Sequence, residues 1–352
     1  MEGEKGGKKI EGTDRMMDTK ELQRALMNPA IYPDRPERVG FAETHISLLF
    51  FTGAHVYKVK KPVNFGFLDF TTLKKRRHFC QLELILNRRL SRNIYLDVVE
   101  IKQRRGEIVL NNRGRTIEYA VKMKQISEDL LMDRLLDRGL VTPDMVAAVA
   151  QRLADFYERA ETNERIRGFG RPERVRQDTD ENFEQTERYI GTTISRERFQ
   201  EIERAANSFL KQKREVFFER IKGGWIRDCH GDLRLEHIFF DEEISILDCI
   251  EFNERFRYTD VSADIAFVAM DLDYRGRSDL GRHLVNRYVN RSGDKGIYLV
   301  LDFYLCYRAY VRGKVESFRL DDPHTQKEEK QKALSRAVRY FKLSQRYARR
   351  LS

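Results

Sequence analysis

The dominant hydrophobic period of this 352-residue chain changes near residue 125, from that of strands to that of helices, and this change limits the folds the chain can adopt. Before about residue 125, apolar and polar residues alternate, which is typical of half-buried strands. Residues 45–51 and 55–61 flank a short glycine-containing link and predict a β-hairpin. Three more strands are predicted at 98–101, 107–110 and 116–123. One helix is predicted at 74–90, capped by Thr71-Thr72.

Beyond residue 125 the apolar spacing becomes helical. Pro143 stands where a first-turn proline belongs. Four apolar residues then recur on one face: Val146, Val149, Leu153 and Phe156. The sequence also predicts a connector rich in glycine, arginine and proline at 163–180, a long helix at 196–221, and a strand-and-loop island at 225–260.

This order of elements predicts an α+β fold with two lobes. Residues 1–20 are expected to form a flexible tail, and residues 21–124 a small β-rich lobe with one helix. Residues 125–352 are expected to form a larger helical lobe that contains the strand-and-loop island.

Composition excludes several classes of protein. No run approaches the roughly 18 apolar residues of a membrane span, and the first 20 residues lack the apolar stretch of a signal peptide. The four cysteines include no Cys-x-x-Cys pair, which argues against a zinc ribbon or a disulfide framework. We therefore expect a cytoplasmic protein. The net charge of +10 is interpreted as solvated surface, because no nucleic-acid motif accompanies it.

The segment HGDLRLEH at 230–237, followed by Ile246-Leu247-Asp248, has the residue types that phosphoryl transfer needs. That reaction requires a carboxylate for the nucleophile's proton, oxygen ligands for magnesium, and positive charge on the phosphate. Asp232 supplies the first, Asp248 a metal ligand and Arg234 a phosphate contact. The simpler alternative is a tight turn with a helix-capping aspartate. The phosphate loop of P-loop kinases, Gly-x-x-x-x-Gly-Lys-Ser/Thr, is absent.

The spacing of these residues resembles the catalytic loop of protein kinases, and more closely the His-Gly-Asp form of aminoglycoside and choline kinases. Other segments extend the likeness over about residues 38–320: ETHISLLFFTGAHVYKVKKPVNFGFLDFTTLKKRR, ELILNRRL, NIYLDVV and LDCIEFNERFRYTDVSADIAFVAMDLD. They are similar to one bacterial branch of the aminoglycoside phosphotransferase-like superfamily. Members often carry a further P-loop kinase domain, and none is expected here. The resemblance implies a bilobal protein-kinase-like fold and the use of ATP with Mg²⁺, but not the acceptor.

The resemblance also implies roles for residues of the first lobe. In kinases a strand lysine binds the nucleotide phosphates and pairs with a helix glutamate. Lys58 and Lys60 lie on one face of their predicted strand, because side chains alternate. Lys58, two residues after Val56, is the preferred candidate, and Lys60 is the reserve. Glu83 on the predicted helix is the matching carboxylate.

Two other parts of the nucleotide site are placed only by their order along the chain. The hinge that offers backbone groups to adenine is expected at Met123 to Gln125. No Gly-x-Gly-x-x-Gly is present to cover the phosphates, so the link at Gly53 is the candidate for that task.

Residues of the second lobe match the superfamily except at one position. Asp264 is expected to brace the catalytic loop, with Asp260 as a helix cap, and His230 is expected to hydrogen-bond beneath the metal-ligand segment. At His237, relatives usually have an asparagine that binds a second magnesium, whereas imidazole suits softer metals. Three alternatives follow. One magnesium suffices, or His237 contacts phosphate or the loop backbone, or turnover is slow or lost.

The charge of the acceptor is suggested by an acidic segment. Residues 241–273 contain ten acidic and two basic residues, a net charge of −8. Such a segment suits magnesium and would suit a cationic small molecule with a hydroxyl group. Internal pairing of the carboxylates is the alternative.

Two other classes of function remain open from the sequence. The first is a nucleotide-binding pseudokinase or scaffold, which His237 supports and which the lysine, glutamate and aspartate set opposes. The second is an anion-surface or RNA-associated protein. It would use the basic amphipathic segment 333–352, although such helices more often pack on their own domain.

Overall fold

A computed structural model describes residues 18–323 and 325–351, so residues 1–17 of the predicted tail lie outside the described residues. The chain forms two compact units. The first contains the described residues up to Leu84 together with Asn93–Gln125. The second contains Ile85–Arg92 and the chain from Ile126 onward.

The first unit is built on a six-stranded antiparallel sheet with the strand order β1-β2-β3-β6-β4-β5. Its elements are α1 Thr19–Leu26, β1 Gly40–Glu43, β2 Ser47–Phe51, β3 His55–Lys60, α2 Leu73–Asn87, β4 Tyr95–Arg104, β5 Glu107–Leu110 and β6 Arg115–Lys124, with a 3₁₀ turn at Pro29–Ile31. The last three residues of α2 belong to the second unit. The predicted hairpin, the capped helix and the three further strands are confirmed. The sequence interpretation missed α1 and the edge strand β1.

Strand β3 separates the hydrophobic core of this unit from its polar face. Tyr57 and Val59 point into a core shared with α1. The alternate residues of β3, which include Lys58 and Lys60, point to the other face, where helix α2 supplies Glu83. The helix starts at its predicted cap, since the Thr72 hydroxyl accepts a hydrogen bond from the Lys75 amide at 3.2 Å.

The second unit is helical and contains two small two-stranded sheets, β7 with β10 and β8 with β9. Its helices are α3 Met132–Asp137, α4 Pro143–Arg159, α5 Glu164–Gly168, α6 Pro172–Thr186, α7 Arg196–Gln212, α8 Arg214–Lys222, α9 Glu254–Arg257, α10 Val261–Tyr274, α11 Ser278–Ser292, α12 Leu301–Asp321 and α13 Lys327–Ala348. Its strands are β7 Ile226–Asp228, β8 Ile238–Phe240, β9 Ile244–Ile246 and β10 Tyr258–Asp260. Helix α10 is buried almost throughout, and α11 and α12 pack against it.

Two predictions for this unit are wrong. The expected connector at 163–180 contains α5 and most of α6, because Asn163 caps α5 and Pro172 occupies the first turn of α6. The long helix expected at 196–221 is two helices. The backbone leaves helical geometry at Lys213, with φ −103° and ψ 23°. The face of α4 predicted from its apolar spacing is buried as expected.

The C-terminal basic helix α13 packs against α12 of its own unit. Gly313 permits a close approach, since a Cβ atom there would lie 2.7 Å from the Phe341 ring. Four arginines of the C-terminal segment form ion pairs within the unit: Arg336 with Glu316, Arg346 with Asp273, Arg349 with Glu201 and Arg350 with Asp302. These contacts favour the interpretation in which the basic segment packs on its own unit, rather than the one in which it forms a surface that binds anions. Across the described ranges, every helix is too short or too polar to cross a membrane.

Candidate active site

A single buried carboxylate receives both lysines of strand β3. The Lys58 Nζ lies 2.8 Å from Glu83 Oε1, and the Lys60 Nζ lies 2.6 Å from Glu83 Oε2. The three side chains differ in accessibility: Glu83 is fully buried, Lys60 is 1% exposed and Lys58 is 14% exposed. A ligand phosphate can approach the Lys58 amine more easily than the enclosed Lys60 amine, which also lies 4.9 Å from the centre of the Phe70 ring.

The residues expected at the hinge are tied to the β2–β3 link. The Gln125 amide donates to the Ala54 carbonyl at 2.9 Å, and its side-chain Oε1 accepts from the Gly53 amide at 3.0 Å. Met123 lies within β6, paired with Val56. Because the Gln125 and Gly53 amides have partners inside the unit, a nucleotide contact here would involve carbonyl oxygens.

In the second unit, a glycine turn and a buried aspartate fix the His-Gly-Asp loop. Gly231 has φ +90°, and a Cβ there would lie 2.8 Å from the Phe256 carbonyl oxygen, so both conformation and space require glycine. Asp264 of α10 accepts from the His230 amide at 2.7 Å and from the Gly231 amide at 3.0 Å. The expected brace is therefore present. The expected cap is too, since Asp260 accepts from the Ser262 amide at 2.8 Å.

The imidazole of His230 joins the loop to the segment that carries Asp248. Its Nδ1 accepts from the Asp232 amide at 3.3 Å, and its Nε2 donates to the Leu247 carbonyl at 2.8 Å. Burial, opposed chiefly by the charge of Asp264, lowers the pKa of His230 to about 4. This neutral, enclosed ring acts as a cross-link, as the sequence predicts.

Asp248 has a left-handed backbone conformation, with φ 60°, which is uncommon for a residue other than glycine. Hydrogen bonds on both sides hold it there. The Leu247 amide donates to the His237 carbonyl at 2.8 Å, and the Cys249 amide donates to Asn87 Oδ1 at 2.9 Å. Backbone strain that is fixed in this way is common at functional sites. Asp248 itself is exposed.

The positive charge next to Asp232 is that of Arg234, two residues further along the loop. Arg234 Nε lies 3.2 Å from Asp232 Oδ2, and Arg234 Nη2 lies 2.6 Å from Glu236 Oε1. Burial acts to raise the pKa of Asp232, but the positive charges around it, Arg234 first, lower that pKa to about 2. The half-buried Asp232 is therefore ionised at neutral pH.

His237 forms hydrogen bonds within the same loop. Its Nδ1 donates to the Asp232 carbonyl at 2.7 Å, and its Nε2 accepts from Arg234 Nη2 at 3.4 Å. This matches the alternative in which His237 contacts the loop backbone. No group of three or more metal-ligating side chains occurs within residues 18–323 and 325–351.

Sequence reasoning missed the residues that anchor this loop from the end of α2. Arg89 donates to the carbonyls of Asp228 and Cys229, each at 3.0 Å, and forms an ion pair with Asp228 at 3.1 Å. These contacts account for Asn87 and Arg89 in the segment LNRRL at 86–90. The sequence signal was this motif, although its role could not be inferred without the contacts.

We compared the chain with known proteins in sequence and in structure. No family model matches the chain. Uncharacterized proteins of Mycobacterium bovis and of two Mycobacterium tuberculosis strains, CDC 1551 and H37Rv, are each 34% identical over 278 residues. The match covers 79% of this chain and 54% of each relative, so the chain spans about half the length of the curated relatives it matches.

A solved choline/ethanolamine kinase family protein from Mesorhizobium loti superposes with a TM-score of 0.51 at 10% identity, over 94% of this chain and 99% of that one. The chain has a protein-kinase-like fold. An aminoglycoside phosphotransferase from Alicyclobacillus acidocaldarius resembles it less closely, with a TM-score of 0.43 at 11% identity over 89% of this chain and 91% of that one. The α+β, kinase-like fold predicted from the sequence is confirmed.

Proposed function

We propose that the chain is an ATP- and Mg²⁺-dependent phosphotransferase that transfers the γ-phosphate to a hydroxyl of a small molecule. The observation that carries this proposal is the cross-linking by His230. It fixes the Asp232 amide and the Leu247 carbonyl to one ring and so holds two carboxylate-bearing segments side by side. Phosphoryl transfer needs two such carboxylates, one for the nucleophile and one for the metal.

Asp232 is assigned as the catalytic base. With a pKa of about 2 it is a weak base, so it orients the acceptor hydroxyl and takes its proton late, as the bond to phosphorus forms. Arg234 is assigned to the transferred phosphate, because a guanidinium matches phosphate oxygens with paired donors. Asp232 and Glu236 position that guanidinium in the absence of substrate.

Residues of the first unit are assigned to the nucleotide. Lys58, paired with Glu83 and still partly exposed, is the phosphate-binding lysine, and the enclosed Lys60 supports the same carboxylate. The segment Met123 to Gln125 is assigned to adenine, with the Gln125 carbonyl oxygen as the contact, because Met123 pairs with Val56 and Tyr95 on the two sides of β6.

The donor set around Asp248 fits magnesium in part. An exposed carboxylate is a hard oxygen ligand of the kind that Mg²⁺ prefers, and magnesium at nucleotide sites commonly uses one or two carboxylates with phosphate oxygens. His237 occupies the position of the second ligand, but its Nε2 faces Arg234. Bound magnesium would neutralise charge on the nucleotide phosphates.

A second candidate function is a nucleotide-binding pseudokinase. The observation that favours it is the Arg234 contact with both Asp232 and His237, which engages the base and the second ligand position in one interaction. A chain of this kind would bind ATP without transferring phosphate.

ATP turnover with Mg²⁺ or Mn²⁺, measured over a panel of sugars, amino alcohols, nucleosides and peptides, tests the proposal. Asp232→Asn should lower kcat by about 10²–10⁴-fold. Glu242→Gln, an exposed carboxylate at the β8–β9 turn, should not change it. Equal, low turnover in wild type and Asp232→Asn would favour the pseudokinase.

Nucleotide binding tests the site assignment separately from catalysis. ATP affinity in the presence of Mg²⁺ should weaken sharply in Asp248→Ala and in Lys58→Ala. If both variants bind ATP as well as wild type does, these two residues do not form the nucleotide site.

A further inference from the structure

The surplus positive charge of the chain is concentrated in the first unit. Its described residues, 18–84 and 93–125, contain 18 basic and 11 acidic residues, a net charge of +7. Residues 85–92 and 126–352 of the second unit contain 44 basic and 41 acidic residues, a net charge of +3, although that unit is the longer one. The surface of the first unit is therefore the place to search for a site that binds anions.

The topology of the sheet brings the turns around β4 together. Strand β4 lies between β5 and β6, so the β5–β6 connection at 111–114 passes over the end of β4. Arg115 is the register partner of Gln103, and its Nη2 lies 3.4 Å from Gln103 Oε1. A Cβ atom on Gly114 would lie 2.7 Å from the Gln103 carbonyl oxygen and 3.4 Å from the Arg104 Cβ. The β4–β5 turn and the β5–β6 connection therefore lie against each other.

Four exposed arginines share this end of the sheet, and we term them the arginine cluster: Arg104, Arg105, Arg113 and Arg115. Residues 101–116 contain a single acidic residue, Glu107, so the cluster has little negative charge beside it. Within residues 18–323 and 325–351, three of its members, Arg104, Arg105 and Arg113, form no ion pair. This distinguishes the cluster from the C-terminal segment, where four arginines have carboxylate partners.

One member of the cluster occupies a position that its backbone disfavours. Arg105 and Gly106 form the two-residue turn of the β4–β5 hairpin, with φ 50° and φ +89°. Asparagine, aspartate or glycine is usual at the first position of such a turn, because a larger side chain crowds the backbone when φ is positive. The turn keeps a positive charge at its tip at a conformational cost, which indicates a function for that charge.

The surroundings of the cluster distinguish among large anionic partners. No large apolar side chain is exposed among residues 95–124. Proteins bind single-stranded nucleic acids largely by stacking the bases on aromatic rings, and stable attachment to a membrane needs an apolar contribution besides basic charge. The phosphate backbone of a duplex requires neither, because it is bound through charge and paired hydrogen bonds. A duplex therefore fits this surface best.

We propose that the arginine cluster binds the phosphate backbone of a nucleic-acid duplex, without regard to base sequence. Its guanidinium groups would each contact phosphate oxygens, and none would need to reach a base. Binding of this kind agrees with a sequence that has basic charge but no nucleic-acid motif. The inference is independent of the proposed phosphotransferase function, because it uses none of the residues assigned to catalysis or to the nucleotide.

The test measures the salt dependence of duplex binding by the full chain. Fluorescence anisotropy follows two labelled DNA duplexes of unrelated sequence, each of about 20 base pairs, from about 50 to about 300 mM KCl. Both duplexes should bind equally, and the affinity should fall steeply with salt. Each phosphate contact contributes about −0.9 to the slope of log K against log salt concentration. Replacing all four arginines of the cluster with glutamine should therefore reduce the size of that slope by about 3 to 4.

A matched control removes the same number of charges elsewhere. Four exposed basic residues of the second unit are changed to glutamine in a single variant: Arg138, Lys211, Lys222 and Arg287. This variant should keep the slope of wild type. Urea midpoints verify that both variants are folded. Equal affinities and slopes for the cluster variant and the control variant would overturn the inference.

The single substitution Arg105→Asn keeps the inference testable if the cluster variant does not fold. Asparagine tolerates the left-handed conformation, so the urea midpoint should be unchanged or higher. The size of the salt slope should nevertheless fall by about 1. A slope equal to that of wild type would contradict a phosphate contact at the tip of the turn.

Single-stranded DNA of the same length and vesicles that contain phosphatidylserine are measured beside the duplexes. Either of them binding more tightly than the duplexes, in a way that depends on the arginine cluster, would overturn the assignment to a duplex. Absence of duplex binding at about 50 mM salt would overturn it as well. None of these measurements requires ATP turnover, so failure of the proposed enzyme and failure of this inference are distinguishable.

Discussion

The enclosed imidazole of His230 should make the stability of the second unit fall as the pH drops below neutral. Both ring nitrogens are engaged, with Nδ1 accepting from the Asp232 amide and Nε2 donating to the Leu247 carbonyl. A proton on Nδ1 would meet the amide hydrogen that already points at it. Burial, despite the charge of Asp264, therefore lowers the pKa of His230 from 6.5 to about 4.

The sign and size of the effect follow from linkage. Between pH 6.5 and about 4 the unfolded chain binds a proton at His230 that the folded chain does not. The stabilising contribution of neutral His230 is thus fully present above pH 6.5 and is lost as the pH falls toward 4. A pKa gap of roughly 2.5, at about 1.4 kcal/mol per pKa unit, corresponds to about 3 kcal/mol. No screening discount applies, because the side chain is fully buried.

Urea unfolding of wild type and His230→Gln, measured from pH 7 to pH 4, checks this value. Glutamine can donate and accept hydrogen bonds but does not titrate. The only tryptophan, Trp225, lies in the second unit, so its fluorescence reports on that unit. Wild type should lose about 3 kcal/mol more of its unfolding free energy than the variant. Carboxylates common to both chains cancel in this difference. An equal loss in both chains would refute the reasoning.

Three more substitutions test the packing around the site. Asp264→Asn leaves one loop amide without an acceptor and should lower the unfolding free energy by about 1–3 kcal/mol; an unchanged urea midpoint would contradict the brace. Gly231→Ala places a Cβ 2.8 Å from a carbonyl oxygen at φ +90°. It should destabilise the second unit by about 1–3 kcal/mol, and tryptophan fluorescence during urea unfolding would show whether it does. Lys60→Met removes the more buried partner of Glu83 and should lower the melting temperature more than Lys58→Met does. The reverse order would mean that Lys58 is the structural lysine.

Parts of the fold could be predicted because their burial appears as a simple apolar period. Strands β2 and β3 alternate around a glycine link, and α4 shows four apolar residues on one face below a first-turn proline. Helix α6 could not be found in this way, because its buried face is largely polar. Thr179, Asn182 and Thr186 are buried there through hydrogen bonds to the preceding turn. A polar face satisfied by its own backbone has no hydrophobic period.

In the candidate site, too, some residues could be predicted from the sequence and others could not. The motif around Asp232 is local in sequence, so its spacing could be compared with a known loop. The contacts of Asn87 and Arg89 join residues that are about 140 to 160 positions apart along the chain. Such residues become visible only when the helices that carry them are packed.

At position 237, histidine hydrogen-bonds to the backbone of the loop but offers an imidazole nitrogen, rather than an amide oxygen, to a metal. The Nδ1 hydrogen bond to the Asp232 carbonyl supports the backbone of the proposed base. An asparagine at this position would still have an amide oxygen for a metal. The remaining Nε2 of His237 is a softer ligand and accepts from Arg234. Under the proposed function, metal binding therefore depends on Asp248 and the nucleotide's own phosphate oxygens, so magnesium and ATP should bind as a pair, each weakly without the other.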